Sequence, residues 1–497
     1  MPPSRPRPRA YLTRRRPHPG RWLLASLALL AACGPGDGSA PQAVPRPRNV
    51  VLISIDSLRA DHLGCYGYPR ATSPHLDALA DRGLVFDTCV AESSWTLPTH
   101  ASLLTGVSSG AHGLDHDGLS LPADLPTLAE RLSAAGMRTR GLWSGPYLHP
   151  VFGFGRGFAD QDYEGLLPLT RYDSDTFEST GKAPLNPHTE ENREAHRAST
   201  AEAVIDEALE FVDAAGDEPF FLFVHLFDVH YDFVAPASSW KPFAPDYDGP
   251  MDGLDFSTDD AIHADMDPAD LAHLLALYDG EIAYTDEQLG RLLTRLQRDD
   301  REDDTLIIVS SDHGDEFFEH GEKGHRLNLF EEVLDVPLIM AGAGVSGSGR
   351  RVSGVTEHTD VMPTILELLG LEASEFGTGR SLARALAGGE LHDERLAVSR
   401  LRLSARRRMT AVRGPDWKVV IEERDREGTE QVSCFDLATD PGEQLPLEDD
   451  ALLARAREAI TQRDGREAFL RARLGVGAPT ALPEGLDSDL RALGYTR

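Results

Sequence analysis

The sequence predicts an α/β fold: a mainly parallel sheet between helices, followed by a smaller C-terminal unit of antiparallel strands and a helix. Three observations predict it. Apolar runs without polar alternation, such as "NVVLISID" at 49–56, mark strands buried on both faces. Amphipathic helical patterns fall between these runs, as crossover connections of a parallel sheet require. Beyond about residue 375 the runs give way to short strand patterns separated by turn residues.

Residues 1–32 read as a processing signal outside the fold. Arg14, Arg15 and Arg16 open a basic region, and "WLLASLALLAA" is an apolar core too short to span a bilayer comfortably. Leu30-Ala31-Ala32-Cys33 resembles the bacterial lipobox, which implies lipidation of Cys33 and a membrane anchor there. Gly34 after the cysteine implies, for a Gram-negative cell, an exported cell-envelope lipoprotein at the outer membrane or facing the periplasm. The plainer alternative is a signal peptide cleaved near Ala32. Residues 33–48, rich in Gly and Pro, read as a flexible tether.

The main domain is expected at 49–375. Further strand runs stand at 219–227, 305–312 and 336–340, with helical patterns at 125–136, 201–216 and 285–299. Two polar stretches, roughly 170–198 and 236–268, read as long loops that shape a pocket. Residues 376–497 form the smaller unit, where "MTAVRGPDWKVVIEE" and "SCFDLATDPGEQ" predict antiparallel strands before a charged helix near 450–473.

The net charge of −32 becomes −39 once the seven arginines of residues 1–32 are set aside. Such a surface repels nucleic acid, and that class of partner is excluded. Cys65, Cys89 and Cys434 have neither a disulfide framework nor zinc-ligand spacing, and read as small buried residues.

Candidate chemistry gathers at strand ends. Asp56 closes the first apolar run, and Asp312 with His313 closes "TLIIVSSDHG". Ligands of open α/β sheets bind beyond the carboxyl ends of the strands, and two carboxylates with an imidazole there suit a divalent cation. Each Asp alone also reads as a cap of the following turn. Thr96, in "SSWTLPTHASLLTG", stands where a helix should begin. A cation held by Asp56, Asp312 and His313 would bind its hydroxyl and activate it as a nucleophile; the bland reading is an N-cap threonine. His100 either faces the same anion or lies on the helix surface.

In order, "NVVLISIDSLRADHLGCYG", "LPTHASLLTG", "HLFDVHYDF", "SDHGDEFFEHG" and "LFEEVLDVPLIM" resemble the signatures of the sulfatases, within the alkaline phosphatase superfamily. "EHTDVMPTILELLG" and "FDLATDPGEQ" are similar to its later landmarks. The resemblance implies an alkaline-phosphatase-like mixed, mostly parallel sheet between helices with a small C-terminal sheet domain. It also implies a metal-dependent hydrolase of sulfate esters or related phosphate esters, on a small-molecule or glycan substrate, with calcium as the family's usual ion.

Departures from the family pattern bear on the chemistry. Sulfatases oxidise the Cys or Ser of Cys/Ser-x-Pro-x-Arg to formylglycine. Here the segment is Thr96-Leu97-Pro98-Thr99-His100, and oxidising a secondary alcohol gives a ketone, so no formylglycine is expected. The family's Asp-Asp pair is Asp56-Ser57, one carboxylate short, and "GLWSGPYLHP" replaces the Gly-Lys-Trp segment. The later family lysine appears as Arg326 or, in a shifted alignment, His325. With His313 in the set, the ion tilts from calcium toward zinc or manganese.

The expected catalytic residues are therefore Thr96, His100, His230, His325 and Arg326, and the expected metal ligands Asp56, Thr96, Asp312 and His313. A Thr nucleophile beside an Asp-His pair is also similar to Thr-dependent phosphodiesterases and phosphotransferases. Their two-metal members need a second set, for which Asp228, His230, His325 and His358 are candidates; Asp360 reads as part of a helix start. A non-catalytic binding lipoprotein on the same fold is the remaining alternative.

Overall fold

The computed structural model describes residues 45–483 apart from 160–161, 167–199, 392–393, 425–427 and 476, together with Leu486 and Leu490. The lipobox cysteine, most of the tether and the polar stretch 170–198 lie outside the described residues. Among the described residues no helix is long and apolar enough to cross a membrane.

The apolar runs become the centre of a nine-stranded sheet. β1 (Asn49–Ile55) is buried along its whole length and pairs in parallel with β5 (Phe220–Leu226) on one side and β6 (Thr305–Ser311) on the other. All three are covered on both faces, so each apolar side chain gains roughly 1.5–3 kcal/mol from burial whichever way it points. That is why their sequences do not alternate. β3 (Arg138–Trp143) and the short β4 (Tyr163–Gly165) continue the parallel set beyond β5.

On the other side the sheet becomes mixed. β10 (Leu338–Gly342) runs antiparallel to β6 and to β2 (Leu84–Val90), which pairs in parallel with β11 (Arg350–Glu357). β9 (Asp335–Val336) also runs antiparallel to β2, and β7 (Glu316–Phe317) pairs with β8 (Lys323–Gly324) apart from the large sheet. The fold class is the expected one, with the chain reversed over 335–342 inside a mostly parallel sheet.

Two apolar cores flank the sheet. Helices Ala201–Ala215 and Pro268–Gln297 cover one face. The other face receives Thr96–Thr105, a helix buried on every side, together with Val361–Leu368. Helix Pro268–Gln297 begins 17 residues earlier than its amphipathic signal at 285, because its first half is wrapped by the loop 236–267 and is largely buried. Cys89 and Cys434 are buried and Cys65 half-buried, and none is bonded to another.

The C-terminal strands β12 (Ala397–Arg402), β13 (Arg407–Arg413), β14 (Trp417–Arg424) and β15 (Thr429–Asp436) form a separate antiparallel meander. Helix Asp450–Leu474 follows, started by the Asp449 side chain accepting from the N–H groups of Ala451 and Leu452. Buried Lys418 on β14 reaches out of the small sheet to Glu331 at 3.0 Å and to Glu443.

Candidate active site

The site is built where β1, β5 and β6 end. Asp56 follows β1 directly, and its N–H donates to the carbonyl of Leu226 at 2.9 Å, extending the ladder with β5 by one residue. The chain then turns sharply at Ser57, whose φ is 55°. Ser57 N–H donates to Asp312 Oδ1 at 3.2 Å and its hydroxyl to Asp56 Oδ1 at 3.2 Å. The residue that replaces a family carboxylate thus orients the two that remain.

Thr96 occupies the first position of helix Thr96–Thr105. Trp95 before it is extended, with φ −167° and ψ 156°, and is the N-cap. The bland reading of Thr96 as the cap does not hold. Its hydroxyl lies 3.4 Å from His313 Nε2 and near enough to the Asp56 carboxylate to lower its pKa, at the first turn of a helix. Thr96 is 2% exposed.

Asp312 and His313 follow β6, and both are fully buried. His313 Nδ1–H donates to the Gly314 carbonyl at 3.0 Å, which turns Nε2 toward the carboxylates, 3.3 Å from Asp312 Oδ2 and 3.7 Å from Asp56 Oδ1. Asp56 Oδ2 and Asp312 Oδ2 have no hydrogen-bond partner. Two buried carboxylate oxygens left bare beside an imidazole nitrogen fit a bound cation, because uncompensated they would cost several kcal/mol. The donor atoms of Asp56, Asp312 and His313 all lie within 4.8 Å of one another.

The electrostatics show the same lack of compensation. Burial pushes Asp56 up to about 7, and burial with the Asp56 charge raises Asp312. Burial lowers His313, but the surrounding Asp312, Asp56 and Asp315 carboxylates outweigh it and hold the imidazole above its ordinary value. A divalent charge among these groups reverses each shift by favouring carboxylate and neutral imidazole.

The remaining predicted residues separate into two layers. His100 lies beneath Thr96, fully buried, with Nδ1–H donating to the Thr96 carbonyl at 3.0 Å and Nε2 against Ser54 Oγ at 2.9 Å. It is neither on the helix surface nor exposed to an anion, and burial drives its pKa down to about 3. Above Thr96 stand His230 and His325, their rings 5.0 Å apart, with burial pulling both well below the ordinary histidine range. Asp315 Oδ1 accepts from His325 Nδ1 at 2.7 Å. Arg326, in the left-handed region at φ 64°, lays its guanidinium 4.0 Å from the Trp95 ring centre and donates to Tyr147 Oη at 3.1 Å. His325 and Arg326 therefore both flank the site, where the alignment left a choice between them.

The other second-set candidates hold structure. Asp228 accepts from the backbone and hydroxyl of Thr200 at the start of helix Ala201–Ala215. His358 Nε2–H donates to the Ser311 carbonyl at 2.8 Å, and Asp360 pairs with Arg395. Two residues that the sequence reasoning did not single out belong to the site. Asp315 carried a signal, as a second acid three places after Asp312 in "SDHGD". His225 carried a weaker one, a single imidazole inside "FFLFVHLF"; it is fully buried, with Nε2 3.3 Å from Asp56 Oδ2.

Residues 48–371 match the protein-family model described as Sulfatase. The chain belongs to the sulfatase family. Among curated relatives of this sulfatase-family chain, the multifunctional alkaline phosphatase superfamily protein PehA of Trinickia caryophylli is 28% identical over 70% of this chain and 79% of its own. The choline-sulfatase of Rhizobium meliloti is 25% identical over 85% of this chain and 88% of its own. The phosphonate monoester hydrolase of Agrobacterium radiobacter superposes with a TM-score of 0.64 at 25% identity, covering 86% of this chain and 96% of that one. BT4656, solved with its substrate D-glucosamine-2-N,6-O-disulfate, gives 0.66 at 19% identity, covering 86% and 98%. This sulfatase-family chain is an enzyme of the sulfuric ester hydrolase kind, with phosphoric ester hydrolysis within the reach of its relatives.

Proposed function

We propose that this sulfatase-family enzyme hydrolyses sulfate esters and related phosphate esters with Thr96 as its nucleophile. The observation that carries the reading is the Thr96 hydroxyl at the head of a buried helix, within reach of His313 and Asp56. Asp56, Asp312 and His313, with Thr96 itself, would hold a divalent cation. When bound, that ion supplies Lewis-acid polarisation and lowers the pKa of a neighbouring hydroxyl.

The chain's own groups account for the rest of the cycle. Asp56 accepts the Thr96 proton, and Thr96 Oγ1 attacks the sulfur or phosphorus in line with the leaving oxygen. His230, stacked on Phe227 at 4.4 Å, and His325, held by Asp315, flank the departing group, which takes its proton from water, since burial keeps both rings neutral. Arg326 neutralises the remaining ester oxygens. His100 fixes the backbone carbonyl of Thr96 and positions the nucleophile from below.

The second half-reaction separates this chain from formylglycine enzymes. A gem-diol expels sulfate by collapsing to an aldehyde, whereas a Thr96 ester has no such exit and must be attacked by water. His325, with Nδ1–H fixed by Asp315, is the base for that water. Envelope localisation through a lipid on Cys33 is part of the same proposal and rests on the lipobox resemblance alone.

The test is turnover of aryl sulfate, aryl phosphate monoester, phosphodiester and phosphonate monoester by the purified protein and by Thr96→Ala. The proposal expects at least one of these activities, abolished in the variant. Undiminished turnover in Thr96→Ala overturns the nucleophile assignment.

A further inference from the structure

The residue least explained by the reaction is His225. It sits on β5 directly opposite Ser54 of β1 in the parallel register, one layer below the Asp56 carboxylate. Its side chain is fully buried, and neither ring nitrogen has a hydrogen-bond partner. The chain makes room for the ring deliberately: a Cβ on Gly145 would lie 2.8 Å from His225 Cε1. An imidazole with both nitrogens bare in a closed interior is costly unless one of them is bonded to something.

The bare atoms around it converge. Asp56 Oδ2 lies 3.3 Å from His225 Nε2, Asp312 Oδ2 lies 3.3 Å from His313 Nε2, and the donor atoms of His225, Asp312 and His100 lie within 4.8 Å of one another. Ligand atoms bound at about 2.0–2.2 Å to one ion in a tetrahedral or wider arrangement stand about 3–3.5 Å apart. The two 3.3 Å separations are those of neighbours in a ligand shell. His100, the neighbouring imidazole, differs in having both nitrogens engaged by Ser54 and Thr96.

We infer that His225 is a ligand of the active-site cation and replaces, from the opposite side, the carboxylate lost at Ser57. The ligand set is then two carboxylates and two imidazoles, Asp56, Asp312, His225 and His313, with the Thr96 hydroxyl at the open position facing substrate. Two nitrogens in place of oxygens change the preferred ion. Calcium takes six to eight oxygens at longer distances, whereas a compact set of two nitrogens and two oxygens suits zinc, cobalt or manganese. The inference rests on the metal-dependent reading of the site but not on Thr96 being the nucleophile.

The experiment is X-ray absorption at the zinc edge on the full chain loaded with one equivalent of zinc, wild type against His225→Ala. Chelator competition for zinc and for calcium accompanies it. The expected result is two imidazoles on zinc in the wild type and one in the variant. Zinc affinity should fall at least about 100-fold. His225→Asp, which restores an oxygen donor, should raise calcium affinity relative to zinc, and metal-free unfolding midpoints show whether either variant is folded. One imidazole in the wild type, or an unchanged zinc affinity in a folded His225→Ala, overturns the inference. A second zinc equivalent lost from the variant while the first keeps two imidazoles overturns it equally. Since no measurement involves turnover, an inactive or differently reacting enzyme leaves the result readable.

Discussion

A secondary hydroxyl is a poor nucleophile, and in the proposed cycle Thr96 overcomes this by position. It opens a helix whose cap is the preceding residue, so its hydroxyl points past the helix end into a ring of acceptors. Thr96→Ala should lower kcat by on the order of a thousandfold or more, while Thr96→Ser, which keeps the hydroxyl, should retain measurable turnover; steady-state kinetics decide both. Asp315 acts through His325 by accepting its Nδ1–H. Asp315→Asn should cost about 10²–10⁴-fold in kcat and shift the pH profile of kcat/KM, with KM changed far less. The ends of the strands made Asp56 and Asp312 legible in sequence, because an acid that closes an apolar run stands out. His225 was hidden for the converse reason. A single imidazole within a run of phenylalanines has the pattern of a buried strand residue, and only its two ring nitrogens without a hydrogen bond, one of them beside Asp56, reveal a task for it.

Among the elements, β1, β5, β6 and β10 were readable as strands because burial on both faces removes alternation. β3 and β11 were not: "RTRGLW" and "RRVSGVTE" carry arginines on positions that face out near the sheet's margins. The first half of helix Pro268–Gln297 was also missed. Its buried Asp279 and Glu281 break the apolar stripe, yet both, like Asp286 just beyond, are engaged in structure. Asp286 accepts from the N–H groups of His75 and Leu76 and so caps helix Pro74–Arg82 from a neighbouring helix. Burial, opposed by those two hydrogen bonds, raises its carboxyl from 3.8 to about 7. Its folded form therefore holds a proton that the unfolded chain releases above 3.8. Asp286 thus favours the fold most at low pH, and the contribution is lost progressively as pH rises toward 7. Asp286→Asn keeps an acceptor but not the titration, and denaturant unfolding at pH 5 and pH 7 should show a smaller stability loss in the variant.

For the whole molecule, the sheet order brings β1, β5 and β6 side by side, and the site draws its side chains from three segments far apart in sequence. No local pattern reports such a meeting; the ordered series of family motifs did, which is why the fold was predicted as a mixed sheet before its reversed β10 was seen. The buried carboxyls of Asp56 and Asp312 beside His313 also couple metal to folding. Removing the ion leaves Asp56 and Asp312 uncompensated, so prolonged chelation should lower the thermal midpoint, and adding back a divalent ion should restore it in proportion to its affinity. Differential scanning calorimetry with calcium, manganese and zinc ranks the ions directly.

In the proposed cycle Thr96 forms a covalent bond to the transferred group. Acid-quenched turnover of an aryl sulfate and an aryl phosphate ester, followed by peptide mass spectrometry, tests this most directly. The predicted result is one sulfuryl or phosphoryl group on Thr96, absent from Thr96→Ala, with accurate mass separating sulfur from phosphorus. An active enzyme whose Thr96 peptide stays unmodified at every quench time, and whose Thr96→Ala variant still turns over, would contradict it.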